Sequence, residues 1–443
     1  MATTRRFIKN SPNLIKKLYY KLIPFSKRYG KEFDFTYKFL LDSLEWDKNK
    51  MVDYQFTKLR NTIINAYESV PYYHKLFNDY GISPFIHDFN DVTKIPVLTK
   101  EIVRNNYNDL INKNYTGKRL NFKTSGSTGQ KFHFEGDDNL YKREAAFVLR
   151  SFNLHNGSMY DVPSVWVRRY SPKEGEPLYN WDYELNRLYM SPFNISENTI
   201  EEYVRIINKT KSKTLVTYPS LANFMSLLMK EKNLYFDYVE TIHCASEMVL
   251  PEWRQNVYDS LGIKIKAHYG MMEKVSFFSN TIESDMYLDN MEYGYTEIVD
   301  GNVIGTGFLN DVMPFIRYST GDTAEKNDGD EYYKSLPYSV KDFIGRLTDM
   351  ISTSDGRKLS GVNFYTMMYK IKGVEMFQII QKDLKTIEVN IIVSEYYNDS
   401  TNLEICQGIF DRVGKCEIKI NKVDEFRRSP NGKLKTIINE CQS

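Results

Sequence analysis

Apolar residues in the middle of the chain fall into short continuous runs separated by amphipathic stretches. Ser164-Val165-Trp166-Val167, Thr214 to Thr217, Thr241 to Cys244 and Ile263 to Tyr269 predict buried strands. Tyr141 to Phe152, Ile200 to Ile207, Leu221 to Met229 (opened by Pro219-Ser220) and Glu252 to Ser260 predict helices. Strands alternating with helices predict a parallel α/β sheet, whose ligands sit beyond the strand C-termini. Ala245-Ser246-Glu247 and Tyr269-Gly270-Met271-Met272-Glu273 fall at such ends.

Before this region, residues 51–113 are mostly helical in pattern, with Phe56, Leu59, Ile63 and Ala66 at helical spacing. Val70-Pro71-Tyr72-Tyr73 and Ile95-Pro96-Val97-Leu98-Thr99-Lys100 interrupt them. The basic, aromatic N-terminus lacks the features of a secretory signal. It fits a helix packed on the body through Leu14, Leu18 and Leu22 better than one lying on an anionic membrane. Ser171 to Asn180 reads as a surface excursion. From Tyr293 short β segments with Asp/Gly turns take over. After Gly345-Arg346 comes a block with two alternating runs, Ile387 to Val393 and Glu417 to Val423, sized for a small α+β domain. The expected division is 1–347, with a helical lead-in over 1–113, and 348–443.

Candidate chemistry centres on Lys123-Thr124-Ser125-Gly126-Ser127-Thr128-Gly129-Gln130-Lys131. Glycines let backbone N–H groups approach a polyanion, hydroxyls add donors, and lysine adds charge. The run lacks the Gly-Lys-Ser/Thr ending of the common mononucleotide loop. Alternating apolar residues on both sides predict a loop between two strands, with a helix starting near Asp137 or Asp138. Alone, the loop fits a phosphate cradle and a solvated Ser/Gly turn equally well.

Charge narrows the classes. The 59 Lys+Arg against 57 Asp+Glu leave a net of +2, no basis for nucleic-acid binding. No apolar run approaches the roughly 20 residues of a membrane helix. The four cysteines include no Cys-x-x-Cys pair, which argues against a zinc site and a disulfide framework and favours a reducing cytoplasm.

Further motifs follow the loop in order: Tyr269-Gly-x-x-Glu273, Ser319-Thr320-Gly321-Asp322, Gly345-Arg346 and Pro430-Asn431-Gly432-Lys433. In this order and spacing, the chain resembles the adenylate-forming superfamily of acyl-CoA synthetases and adenylation domains. Within it, Val70 to Tyr73, Ile95 to Lys100, Tyr189 to Ile195, Tyr218-Pro219-Ser220-Leu221 and Ala245-Ser246-Glu247 resemble the phenylacetate–CoA ligase-like branch and its CapK-like capsule-biosynthesis members.

That resemblance implies a large ATP- and acid-binding domain and a small mobile C-terminal lid. It implies that Thr124, Ser125, Gly126, Ser127, Thr128, Gly129 and Lys131 wrap the ATP phosphates, with Thr128 counted among the catalytic residues. Glu273 would hold Mg²⁺, and Tyr269 would stack on adenine beside Gly270, Met271 and Ala245-Ser246-Glu247. Asp322 and Arg346 would take the ribose, and Lys433 would bridge the carboxylate and the α-phosphate. Trp166, Arg168, Tyr218, Pro219, Ser220 and His243 are the candidate acid pocket. Thr348 and Asp349 are the candidate hinge; family members are usually charged where Thr348 stands. The implied activity is acyl-adenylate formation from a small carboxylic acid, then transfer to coenzyme A, in polysaccharide assembly. Alternatives are a carrier protein or sugar-linked acceptor, an adenylyltransferase, and an inactive nucleotide-binding protein. The absence of a Gly-x-Ser-x-Gly elbow disfavours a triad hydrolase.

Overall fold

A computed structural model describes residues 8, 11–23, 28–124, 132–154, 164–173, 175–346, 350–354, 358–360, 364, 367–368, 370–428 and 434–441. Its largest sheet has thirteen strands. Five form the parallel part, in the order β5 (Arg187–Met190), β3 (Ser164–Val167), β6 (Thr214–Thr217), β7 (Thr241–Ala245) and β8 (Lys264–Gly270). β3, β6 and β7 are buried along their whole length, which is why their sequences run apolar rather than alternate.

Three helices connect these strands, each ending or beginning on a residue suited to it. Pro219–Glu231 and Pro251–Leu261 have proline in their first turn, where no intrahelical N–H is needed. Pro251–Leu261 stops at Gly262, whose φ of 68° suits glycine. Ile200–Thr210 buries Ile200, Tyr203, Val204, Ile206 and Ile207 on one face. Beyond β8 the sheet turns antiparallel and continues through β9 (Phe277–Ser279), β10 (Tyr287–Asp289), β15 (Leu336–Arg346), β13 (Tyr318–Lys326), β12 (Asn302–Gly307) and β11 (Gly294–Val299). β14 (Tyr332–Tyr333) pairs only with β15.

The sequence expectation of a strand-loop-strand unit is met by β1 (Arg119–Thr124) and β2 (Phe132–Asp137), an antiparallel pair closed by Thr124 opposite Phe132. The following helix starts later than expected, at Leu140. Asp137 is still in the strand, and its Oδ1 accepts the Asn139 N–H at 2.7 Å, forming a side-chain turn before the helix. The segment read as a surface excursion contains the start of an edge strand. Tyr179–Asp182 (β4) pairs antiparallel with β5, and its polar, half-exposed positions hide it from a search for apolar runs.

The lead-in helices Lys31–Ser43, Lys48–Ser69 and Pro71–Tyr80 share one core with the β1–β2 pair, through residues such as Phe33, Leu59, Phe77, Phe122 and Phe134. Arg150 joins the layers. Its guanidinium donates to both Glu292 oxygens at 2.6 and 3.0 Å, and the Ser43 hydroxyl donates to the same carboxylate. Burial works against ionising Glu292, but the Arg150 guanidinium holds its carboxyl below the usual range.

The N-terminal helix Asn13–Leu22 packs opposite to expectation. Leu14, Leu18 and Leu22 are 69%, 58% and 83% exposed, and Tyr20 is its buried residue. Arg28 fixes this orientation by donating to the Tyr20 and Ile23 carbonyls at the helix end and to the Glu184 carbonyl on the body. The polar-aromatic edge is therefore held, and the leucine edge faces out. No helix among the described residues is long and apolar enough to cross a membrane.

A short antiparallel pair, β16 (Met350–Ser352) with β17 (Lys358–Ser360), precedes a separate four-stranded sheet in the order β20 (Glu417–Lys422), β19 (Thr386–Val393), β18 (Val374–Gln381) and β21 (Ile437–Asn439). Its core, including Phe377, Val389, Ile405 and Ile409, is distinct from those of the large sheet.

Candidate functional site

β3, β6, β7 and β8 run parallel, so the residues that follow them share one edge of the sheet. Arg168, Tyr218, Ser246 and Met271 occupy those four positions. These four candidate residues therefore share a single edge.

Tyr269 and Asp322, 53 residues apart, are in direct contact: Tyr269 Oη donates to Asp322 Oδ2 at 2.8 Å. One face of the Tyr269 ring stacks on Phe343 at 4.0 Å with 9° between planes. Asp322 in β13 stands directly opposite Arg346 in β15, so the two expected ribose residues are cross-strand neighbours. A left-handed Gly321, φ 76°, precedes Asp322, and the Thr320 hydroxyl accepts the Asp322 N–H at 3.1 Å.

Glu273 lies in the turn after β8 and is 5% exposed. Its Oε1 accepts from Tyr318 Oη at 3.2 Å and lies 3.8 Å from Lys100 Nζ. Burial and the adjacent Glu273 carboxylate both push the Tyr318 phenol above its ordinary range, so it stays a donor. Lys274 turns away at φ 59° and bonds Glu144 Oε1 at 2.5 Å, tying this turn to helix Leu140–Asn153.

Lys100 stands beside Glu273, a neighbour that the sequence motifs alone do not reveal. Its segment pairs with β13 through Leu98 opposite Tyr318, with Leu98 N–H bonded to Arg317 O and Ser319 N–H to Leu98 O. That bridge delivers Lys100, the first residue of helix Lys100–Asn105, to Glu273. The sequence signal for it is the Ile95 to Lys100 motif.

Glu247 bonds two distant parts of the chain. Its Oε2 accepts the Ser220 N–H at 3.2 Å at the start of helix Pro219–Glu231, and its Oε1 accepts the Leu434 N–H at 2.6 Å. Burial pushes its carboxyl up, while Arg428 and these donors oppose the shift. Between the same two parts of the chain lies a cavity of about 340 Å³, lined by Pro192, Leu221, Phe224, Met376, Phe426 and Arg428 among others. None of the six candidate acid-pocket residues lines it.

Those six sit deeper. Trp166, Arg168, Tyr218, Pro219, Ser220 and His243 are all buried. Arg168 Nη2 donates to Ser246 Oγ at 3.2 Å, and its guanidinium lies 4.8 Å from the Tyr218 ring centre. His243 Nε2 contacts His268 Nδ1 at 2.7 Å, and its ring lies 3.9 Å from that of Phe152. Burial and the nearby Arg168, Arg169 and Lys274 push His268 down to about 3.

Ser125, Gly126, Ser127, Thr128, Gly129, Lys131, Thr348, Asp349 and Lys433 lie outside the described residues, as do the side chains of Thr124 and Arg346.

Residues 351–440 match the family of the CapK C-terminal domain. Over most of its length the chain superposes on 2-hydroxyisobutyryl-CoA ligase in the postadenylation state in complex with R3-HIB-AMP. The TM-score is 0.67 at 16% identity, covering 87% of this chain and 88% of that one. The chain has the fold of the adenylate-forming ligases. Against the same ligase in its thioesterification state, with 2-HIB-AMP and CoA, the TM-score is 0.58 at 16% identity, covering 89% and 91%. Against anthranilate CoA ligase AuaEII in complex with anthranoyl-AMP it is 0.50 at 14% identity, covering 71% and 65%. No curated protein matches the sequence.

Proposed function

We propose that this chain activates a small carboxylic acid as its acyl-adenylate, using ATP, and then passes the acyl group to a thiol, coenzyme A being the default acceptor. The observation that carries this reading is the Tyr269–Asp322 contact with Arg346 opposite, on the same sheet edge as the buried Glu273. A bidentate carboxylate suits a ribose diol. The flat aromatic ring of Tyr269 suits stacking on adenine.

Adenylation brings a carboxylate against a triphosphate, so the residues must hold two anions together and stabilise charge as pyrophosphate leaves. Lys100, beside Glu273, would add a cation, and the hydroxyl-rich loop 124–131 donors. Lys433 would act on the α-phosphate, presented by the C-terminal segment whose Leu434 is bonded to Glu247. The donor set fits magnesium: Glu273 offers a hard oxygen ligand, and its Oε2 accepts from no described residue. Bound there with phosphate oxygens, the ion would offset triphosphate charge.

In this reading, residues 348–443 form a lid that pivots near Thr348 and Asp349 between the two half-reactions. The CapK C-terminal match supports a place in polysaccharide assembly, and the four unpaired cysteines support a reducing cytoplasm. The outward Leu14, Leu18 and Leu22 edge, flanked by Lys17 and Lys21, supports peripheral contact with an anionic membrane.

Acid-dependent ATP–pyrophosphate exchange across aryl, hydroxy, amino and dicarboxylic acids tests the central reading. No exchange with any of them, in protein that binds ATP, would leave a nucleotide-binding protein without ligase activity.

A further inference from the structure

The buried arginines of this molecule follow one rule, and Arg168 breaks it. Arg150 forks onto Glu292, and Arg317 forks onto Glu297 at 2.9 and 3.0 Å. Arg168 is equally buried, 4% exposed, yet no described carboxylate pairs with it. Its polar contacts are the hydroxyls of Ser246 and Tyr218, and its Nε has no partner among the described residues. Aromatic faces complete its surroundings, with the Tyr218 and Trp166 ring centres at 4.8 and 6.0 Å.

Burying a guanidinium with hydroxyl and aromatic partners alone is costly, and the charges around it add to that cost. Desolvation and the neighbouring Arg169 both act against its charge. A site that keeps a cation under these conditions is complete only when an anion enters. Arg168 stands at the C-terminal edge of the parallel strands, between Tyr218 and Ser246, within the candidate acid pocket.

The reacting carboxylate is a poor occupant. It loses its charge on adenylation, so a fork on it would hold the ground state more tightly than the transition state and slow the reaction. A second acidic group, remote from the reacting one, keeps its charge throughout.

Resting on the adenylation reading above, we propose that Arg168 receives a second acidic group of the substrate, so that the acid activated is a short dicarboxylic acid. The Nη and Nε donors of Arg168 take the distal carboxylate, Ser246 Oγ orients the guanidinium, and the Tyr218 and Trp166 rings exclude water from the pair.

The test is binding to the full chain, followed by thermal shift at matched ionic strength. Malonate, succinate and glutarate are compared with acetate, propionate and butyrate. At least one dicarboxylate should bind about 30-fold more tightly than its monocarboxylate counterpart, the effect of one charge-assisted fork. R168Q should erase that preference, and R168K, which keeps charge without the fork, should fall between. No dicarboxylate preference in the wild type, or one that survives in R168Q, overturns the proposal even if R168Q is unstable, because the wild-type panel and R168K still report. Pyrophosphate exchange separates the two readings. Dicarboxylate binding without exchange sinks the ligase reading and keeps the Arg168 site; exchange with monocarboxylates alone does the reverse.

Discussion

Glu247 Oε1 accepts the backbone N–H of Leu434 at 2.6 Å, joining the end of a central parallel strand to a residue 187 positions later. The same side chain holds the Ser220 N–H, so one buried carboxyl group ties the start of helix Pro219–Glu231 to the C-terminal segment. Each hydrogen bond to such a group contributes about 0.5–3 kcal/mol, the upper part of that range when the acceptor is charged. E247A should therefore slow acid-dependent pyrophosphate exchange by about 10- to 100-fold. Thioester formation from a supplied acyl-adenylate should suffer less, if the lid moves away for that step. Equal loss of both activities in a folded variant would make Glu247 a general structural anchor.

Lys433 precedes the anchored Leu434, which makes it the strongest candidate for charge that matters only during adenylation. K433A should abolish pyrophosphate exchange, retain ATP binding, and spare thioester formation from pre-made adenylate. Exchange at the wild-type rate would remove Lys433 from the mechanism.

Stability should depend on pH through His268, held down to about 3 in the folded chain against an ordinary value of 6.5. The folded state favours the neutral ring, so its contribution is complete above 6.5 and is lost as pH falls toward 3. Between pH 6.5 and 5 this histidine alone should remove about 2 kcal/mol. Denaturant unfolding at both pH values should show that loss in the wild type and a smaller one in H268Q. Equal slopes would show that His268 is protonated in the folded chain.

The sequence exposes some of these features and conceals others for physical reasons. β3, β6 and β7 are legible because strands buried on both faces must be apolar throughout. β4 is not, because a half-exposed edge strand needs no apolar run. Leu14, Leu18 and Leu22 show the amphipathic helix but not which side meets the body, a choice made by Arg28 and Tyr20. Tyr269, Asp322 and Arg346 are recoverable as ordered motifs, and the structure brings them together from three strands. The role of Lys100 is invisible in one dimension, since the Leu98–Tyr318 bridge that brings it to Glu273 is a tertiary contact. Glu247 is legible as part of a strand-end motif, while its bond to Leu434 is not.

The Glu273–Lys100 pair yields the last expectation. At 3.8 Å, with Lys100 half exposed, the contact is a loose ion pair rather than a hydrogen-bonded fork. A cation at Glu273 and the ammonium of Lys100 would share one carboxylate, so each tunes the hold on the other. E273Q keeps shape but loses charge, and should raise the magnesium needed for half-maximal exchange by about tenfold or more, the loss of one charge-assisted ligand. K100M removes the competing cation and should lower that requirement while slowing exchange, because in the proposed site Lys100 would also face the triphosphate. A magnesium titration on the two variants separates the roles. If E273Q leaves the titration unchanged, Glu273 serves only to fix Tyr318, and the metal ligand must be sought elsewhere on this edge.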